Sequence, residues 1–259
     1  MTQYEFSDLE RDIRIRSYET DHRGCMKISS IQNQLQDIAW EHASMLKVSD
    51  KELFPKNLTW VLIKLHIKIH EYPRWKQEVK IRTWPRGSNR MKAYREFQIF
   101  DLAGNCIVSA TSSWMVLNFK TRRPVIVDEY LKNIKPISNK AIESDFRFIN
   151  DKSIHTYSSN VKVRYQDLDI NQHANNVSYI DWCIDPIPED YWKNFQLREI
   201  EIDYLAEAFY GDSVFSTAFR YDKDDEKIFF HNLYRQEDKK ELAKAQSRWS
   251  KLQKTSFKT

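Results

Sequence analysis

The stretch Tyr165-Gln166-Asp167-Leu168-Asp169-Ile170-Asn171-Gln172-His173-Ala174-Asn175-Asn176-Val177-Ser178-Tyr179-Ile180-Asp181-Trp182 runs from the end of a strand, through a polar loop, into a helix. Ahead of it, Val161, Val163 and Tyr165 alternate as a strand with one buried face does. The loop then presents Asp169, Asn171 and His173 before a helix that opens near Asn175 or Asn176. Val177, Ile180 and Ile184 follow along that helix, and Pro186 stops it. An acid, an amide and an imidazole thus converge beside a helix N-terminus. Read in isolation, Asp-x-Asn-x-His is ordinary turn and capping chemistry.

Working outward, the first half of the chain carries a diverged copy. Asp12-Ile13-Arg14-Ile15-Arg16-Ser17-Tyr18-Glu19-Thr20-Asp21 parallels Asn160 to Asp169. A helix over Ile28 to Ala43, opening at Ser29 or Ser30, sets Ile31, Leu35, Ile38, Ala39 and His42 near helical spacing. Ala110 to Trp114 parallels Ala245 to Trp249, and Ile67 to Val79 lies over Ile202 to Val214. Each half reads as strand, long helix, then a meander of strands. The polar connection from Lys132 to Ser159 reads as a surface linker. The expected class is α+β, with two fused units over residues 1–145 and 146–259, each an antiparallel sheet wrapped around a helix. Joining two such sheets side by side would cover an open edge, a physical reason for the duplication to persist.

Composition bounds the function. With 259 residues, 41% hydrophobic, the chain can build two modest cores. Lys plus Arg number 41 against 37 Asp plus Glu, a mixed surface that argues against nucleic acid and suits an acidic protein partner. Cys25, Cys106 and Cys183 are odd in number and far apart, so they imply free thiols and a cytoplasmic, reducing location. The N-terminus carries acids and has no apolar core like that of a signal peptide. No run of about 18 apolar residues is present, so no membrane association is expected.

The His173 loop closely resembles the signature of the plant and bacterial acyl-acyl-carrier-protein thioesterases: Asp-Leu-Asp, a small apolar residue, Asn-x-His, then Asn-Asn before Tyr and Trp. Ile15 to Glu19, Asn57 to Val61, Tyr72 to Trp75, Ser112 to Val116 and Thr121 to Pro124 resemble the same family, from about residue 11 to 250. The resemblance implies two hotdog domains. It also implies hydrolysis of fatty acyl thioesters on a phosphopantetheine carrier protein, as in fatty acid biosynthesis, without cofactor or metal. Pairing of two chains as a homodimer is left open. In the family, the residues matching Asp169, Asn171 and His173 act with a glutamate on a later strand, a role that Glu207 inherits. Plant members have a cysteine directly after that glutamate, once counted as a nucleophile; this chain has Ala208. Covalent cysteine catalysis is therefore excluded by the resemblance, leaving a carboxylate-activated water or a carboxylate nucleophile.

The expected roles follow from what thioester hydrolysis needs. Glu207 would activate a water, and His173 would align it or protonate the leaving sulfur. Asn171 would hold the thioester or the water, Asp169 would fix the loop, and backbone N–H groups from Asn175 to Val177 would stabilise the oxyanion. Overlaying the halves sets Arg23 against Asn171, Cys25 against His173 and Tyr72 against Glu207, so one active site per chain is expected, in the second unit. The first unit, to which the family's chain-length selectivity is attributed, would supply the acyl pocket. One feature conflicts: Ile200, Ile202, Tyr204 and Ala206 alternate, which puts Glu207 on the other face with Glu201 and Asp203 unless a bulge re-aims it.

Other candidates have plainer readings. His66, His70 and the His22 to Cys25 pair read as packing or surface residues rather than a zinc site. Trp60, Trp84 and Trp114 read as core more readily than as an acyl tunnel. Arg74, Lys76, Lys80, Arg82, Arg86, Arg90, Lys92 and Arg95, with Arg122 and Arg123, form either a solvated strand edge or a landing surface for an acidic carrier. Rival functions are an acyl-coenzyme-A thioesterase, a tandem-hotdog hydratase and a non-catalytic acyl-binding protein.

Overall fold

A computed structural model describes residues 7–143, 155–223 and 226–252. The chain divides into two compact units, Met1–Asp145 and Phe146–Thr259. In the first, β1 (Leu9–Arg14) leads through a turn into α1 (Ile28–Met45). A short α2 (Asp50–Leu53) precedes β2 (Leu58–Ile69), β3 (Glu78–Asn89), β4 (Lys92–Phe100) and β5 (Cys106–Asn118), with β6 (Arg123–Pro124) and α3 (Asp128–Leu131) closing the unit. In the second, β7 (His155–Lys162) leads into α4 (Asn176–Ile184) and α5 (Glu189–Asn194). The meander β8 (Phe195–Tyr204), β9 (Ser213–Lys223), β10 (Glu226–Arg235) and β11 (Glu241–Lys251) follows.

The strand order within the first sheet is β1-β3-β4-β5-β2, with β6 on β5, and within the second it is β7-β9-β10-β11-β8. Every pairing in both is antiparallel. The two orders are the same once β1 is matched to β7 and β2 to β8, the topology that the internal repeat predicts. Both sheets are those of a hotdog fold.

Each helix buries the stripe that its spacing predicts. On α1, Ile31, Leu35, Ile38, Ala39 and His42 are all buried, and on α4 so are Val177, Ile180 and Ile184. At about 1.5–3 kcal/mol for a fully buried large aliphatic side chain, these stripes outweigh the modest helix propensity of β-branched Ile and Val. The first helix starts at Ile28 rather than at Ser29 or Ser30. Its entry is fixed by the Lys27 N–H bonding the Glu19 carbonyl at 2.9 Å, so no serine cap is needed.

The tryptophans behave as packing residues. Trp60 and Trp114 pack against a buried cluster of Leu53, Leu58, Ala93, Val116 and Val127, and Trp84 is buried with its indole N–H on the Asn139 carbonyl. Trp114 and Trp249 each donate to the serine two residues back, Ser112 at 2.7 Å and Ser247 at 2.8 Å, another mark of the repeat. Much of the basic run is not a strand edge. β3 lies between β1 and β4. Lys80 pairs with Glu10, Arg82 with Asp8, and Arg86 with the fully buried Glu96. Arg95 is turned inward onto His42 Nδ1 and the Thr83 hydroxyl, and loss of hydration there pushes its guanidinium down to about 10. Among the described residues, no helix is long and apolar enough to cross a membrane.

Candidate active site

The loop after β7 is built by its acids. Asp167, buried at the end of a 3-10 turn, accepts the Arg164 N–H at 2.7 Å and its guanidinium at 3.0 Å. Asp169 then folds the loop back: its N–H donates to the His173 carbonyl at 2.8 Å, while its Oδ1 accepts from the N–H groups of Asn171 at 2.8 Å and His173 at 3.3 Å. The return requires a left-handed residue, and Gln172 takes it with φ 63°. Asn175 caps α4 by accepting the Val177 N–H at 3.0 Å.

Opposite this loop, the chain leaves β8 abruptly. The N–H groups of Leu205 and Ala206 both bond the Leu242 carbonyl, at 2.9 and 3.2 Å, so the ladder ends in a kink. Glu207 therefore lies in the connection between β8 and β9, not on a strand, and strand parity does not govern it. Further back on β8, Glu199 and Glu201 are buried, and Glu199 lies 3.5 Å from Arg248. After the kink, the Ala174 N–H takes the Ala208 carbonyl at 2.8 Å and His173 bridges Phe209, which stitches the two loops together.

The result is a contact between imidazole and carboxylate: His173 Nδ1 lies 3.4 Å from Glu207 Oε1. Both side chains are about a quarter accessible, at 29% and 27%, open enough to meet a ligand and enclosed enough to hold a geometry. The edge of the His173 ring meets Phe209, with centroids 5.1 Å apart. Asp169 accepts the N–H groups of Asn171 and His173, its own loop's backbone. Asn171 is exposed, and among the described residues its amide makes no hydrogen bond to His173 or Glu207. The proposed oxyanion donors are fewer than expected. The Asn175 N–H is taken by the Asp167 carbonyl and the Val177 N–H by Asn175, leaving the Asn176 N–H without an acceptor among the described residues.

Sequence reading passed over Tyr179. From α4 its hydroxyl donates to the Ala206 carbonyl at 3.0 Å and accepts the Ala208 N–H at 2.8 Å, gripping the backbone on both sides of Glu207. Burial raises its phenol well above the ordinary value, so it stays a neutral donor. The only signal was its place in the motif, one helical turn beyond Asn175 and Asn176. Ala208 is fully buried and carries no nucleophile, and burial likewise raises the Cys183 thiol far from thiolate formation.

The first unit repeats the backbone bonds of this loop pair. Asp21 accepts from Arg23 and Cys25 N–H groups at 2.8 and 3.0 Å, and Cys25 O accepts from Asp21 at 2.8 Å. Met26 bonds the Pro73 carbonyl, and His70 and Glu71 share the Ile107 carbonyl. Gly24, with φ 69°, stands where Gln172 does. The register sets Tyr72 against Glu207 and Cys25 against His173, both buried, and no imidazole–carboxylate pair arises there.

Known proteins place the chain. The acyl-ACP thioesterase N-terminal domain matches residues 7–134, and the acyl-ACP thioesterase C-terminal domain matches residues 150–251. The chain belongs to the acyl-ACP thioesterase family. It is 29% identical over 257 residues to a chloroplastic acyl-[acyl-carrier-protein] hydrolase of Cuphea viscosissima, covering 93% of this chain. It is 34% identical over 232 residues to a chloroplastic oleoyl-acyl carrier protein thioesterase of Arabidopsis thaliana, covering 81%. It spans 62% of the length of each of these relatives. The fold matches a 12:0-ACP thioesterase of Umbellularia californica with a TM-score of 0.84 at 24% identity, over 95% of this chain and 94% of that one.

Proposed function

We propose that the chain hydrolyses the thioester of a fatty acyl group carried by acyl-carrier protein, releasing free fatty acid and the carrier's thiol. Family membership supports the reaction class, and the 3.4 Å contact between His173 and Glu207 carries the chemistry. In this reading the Glu207 carboxylate takes a proton from a water as the water oxygen attacks the thioester carbon. The oxyanion formed is held by the Asn176 N–H at the start of α4, where the helix dipole also favours negative charge. Collapse breaks the carbon–sulfur bond, and the proton returns to the sulfur from Glu207 or through His173. Asn171, exposed at the loop tip, is free to swing its amide onto the thioester or the water. Asp169 holds the loop, and Tyr179 holds Glu207. The first unit, lacking the pair, is left to bind the acyl chain.

The test is a thiol-release assay with acyl-carrier proteins of graded chain length, run beside the same acyl groups on coenzyme A. Wild type should release thiol from the carrier-bound substrate with the higher kcat/KM. Glu207→Gln and His173→Ala should each lower kcat by at least about 100-fold with unchanged circular dichroism, in keeping with loss of a general base. A Glu207→Gln/His173→Ala double variant at full rate would remove the mechanism.

A further inference from the structure

The duplicated loop pair contains its own control. Both copies share one backbone, so where their exposed side chains differ, the fold does not dictate the difference. The second-unit pair exposes Tyr165, Ile170, Phe209 and Tyr210; Phe209 meets the His173 ring, and Tyr165 and Tyr210 meet edge to face. At the register positions of Phe209, Tyr210 and Gly211, the first unit has Arg74, Trp75 and Lys76. The match is fixed by equivalent bonds: Lys76 N to Ile15 O and Gly211 N to Val163 O, both 3.0 Å, and Gln77 N to Arg74 O and Asp212 N to Phe209 O, both 3.0 Å.

A third cation joins them by a change of partner. In the second unit Arg164 is neutralised by Asp167 at 3.0 Å. In the first, the equivalent acid, Glu19, keeps its bond to the Arg16 N–H at 2.7 Å but gives its other oxygen to Gln34 of α1 at 2.7 Å. Arg16 thus has no carboxylate on its guanidinium among the described residues, and neither do Arg74 and Lys76. Arg16 adjoins Lys76 through the bond from Lys76 N to the Ile15 carbonyl. Lys76 lies 4.4 Å over the ring of Trp75, which is 52% exposed, and Tyr18, 76% exposed, stands on the same turn. Of the carboxylates nearby in the chain, Asp21 is committed to Arg23. Glu71, beside Tyr72, and Glu78, opposite Arg14 in the sheet, are exposed. Within the basic run, Lys80, Arg82, Arg86 and Arg95 are balanced or turned inward, whereas Arg74 and Lys76, joined by Arg16, gather positive charge at the loop pair that carries no imidazole and carboxylate.

We infer that the first-unit loop pair is a docking platform for the acidic face of the carrier protein, with Arg16, Arg74 and Lys76 supplying charge and Trp75 an apolar anchor. This rests on the acyl-carrier reading above for the identity of the partner. Charge at such a rim steers encounter and sets salt dependence more than it sets chemistry.

The test is the Kd of fluorescently labelled holo-acyl-carrier protein at low ionic strength for wild type, for Arg16→Gln/Arg74→Gln/Lys76→Gln, and for a control of equal charge loss, Lys51→Gln/Lys80→Gln/Arg82→Gln. The platform variant should bind about tenfold more weakly, with a shallower salt dependence, while the control stays within about twofold. Hydrolysis of acyl-N-acetylcysteamine, an uncharged small thioester, should be equal in all three. An unchanged Kd in the platform variant, or an equal loss in the control, overturns the platform. Absence of hydrolysis of any thioester by wild type, with the Kd pattern intact, would sink the thioesterase reading and leave the platform standing.

Discussion

Tyr179→Phe removes one oxygen atom and should separate position from chemistry at Glu207. The phenol is the partner of both the Ala206 carbonyl and the Ala208 N–H, groups one residue to either side of the carboxylate-bearing position. Deleting it leaves a buried amide and a carbonyl without a partner, at about 1–3 kcal/mol for each such group, while the ring volume is kept. A net loss of about 2–4 kcal/mol in unfolding free energy follows, readable as a shift in urea midpoint at constant m-value. The peptide groups can recover part of that by rotating toward solvent, and that rotation moves Glu207. A displacement near 1 Å at a reacting group costs about 100-fold in rate. The expected result is therefore a fall in kcat of that order with KM for acyl-carrier protein little changed, since nothing in the carrier or acyl contacts is touched. Loss of stability with kcat kept within about twofold would show that Glu207 needs no such grip and would refute the positioning role.

Three further outcomes are expected. Single turnover in oxygen-18 water should place the label in the released fatty acid and none in the Glu207 carboxylate; label in the protein would mean that Glu207 attacks the thioester itself. His231 is buried against the Ser247 hydroxyl at 2.8 Å, and burial pushes its imidazole down to about 3. The unfolded chain then binds a proton below about pH 6.5 that the folded chain refuses, so stability should fall with decreasing pH between those values, by at most about 1.4 kcal/mol per pH unit from this group. His231→Gln should flatten that slope in chemical melts from pH 7 to 4, and an unchanged slope would assign it elsewhere. At Gln172, whose φ of 63° suits glycine, Gln172→Val should destabilise by about 1 kcal/mol or more, whereas Gln172→Gly should lie within about 0.5 kcal/mol of wild type; equal effects would contradict the left-handed geometry.

How far the sequence could be read depended on the range of the interactions. The helices over Ile28–Met45 and Asn176–Ile184 and the repeated strand order follow from local periodicity and self-similarity, which the chain carries openly. The placement of Glu207 was not legible, because it depends on Leu205 and Ala206 sharing the Leu242 carbonyl, a long-range bond that ends the alternation. The same holds for Tyr179, whose partners lie 27 and 29 residues away in sequence. The basic run misleads for a related reason: Lys80, Arg82 and Arg86 are balanced by Glu10, Asp8 and Glu96, which only the sheet register brings beside them.

Because one loop construction occurs twice, the chain itself sorts framework from chemistry. Asp21 and Asp169 are present in both copies and do the same work on two backbone amides, so Asp169 is explained by folding alone. Glu19 and Asp167 likewise both hold the N–H of the arginine three residues before. The positions that differ, Arg23 against Asn171, Cys25 against His173 and Tyr72 against Glu207, leave the backbone hydrogen bonds of the loop unchanged in either form. An imidazole and a carboxylate in contact are therefore not required by this backbone, and a partly exposed pair that the fold does not need supports the proposed hydrolysis. The same logic makes Asp169→Ala, which removes the acceptor of both loop N–H groups, an informative companion to His173→Ala. The former should cost stability and activity together, since Asp169 orders the loop, whereas the latter should cost activity alone.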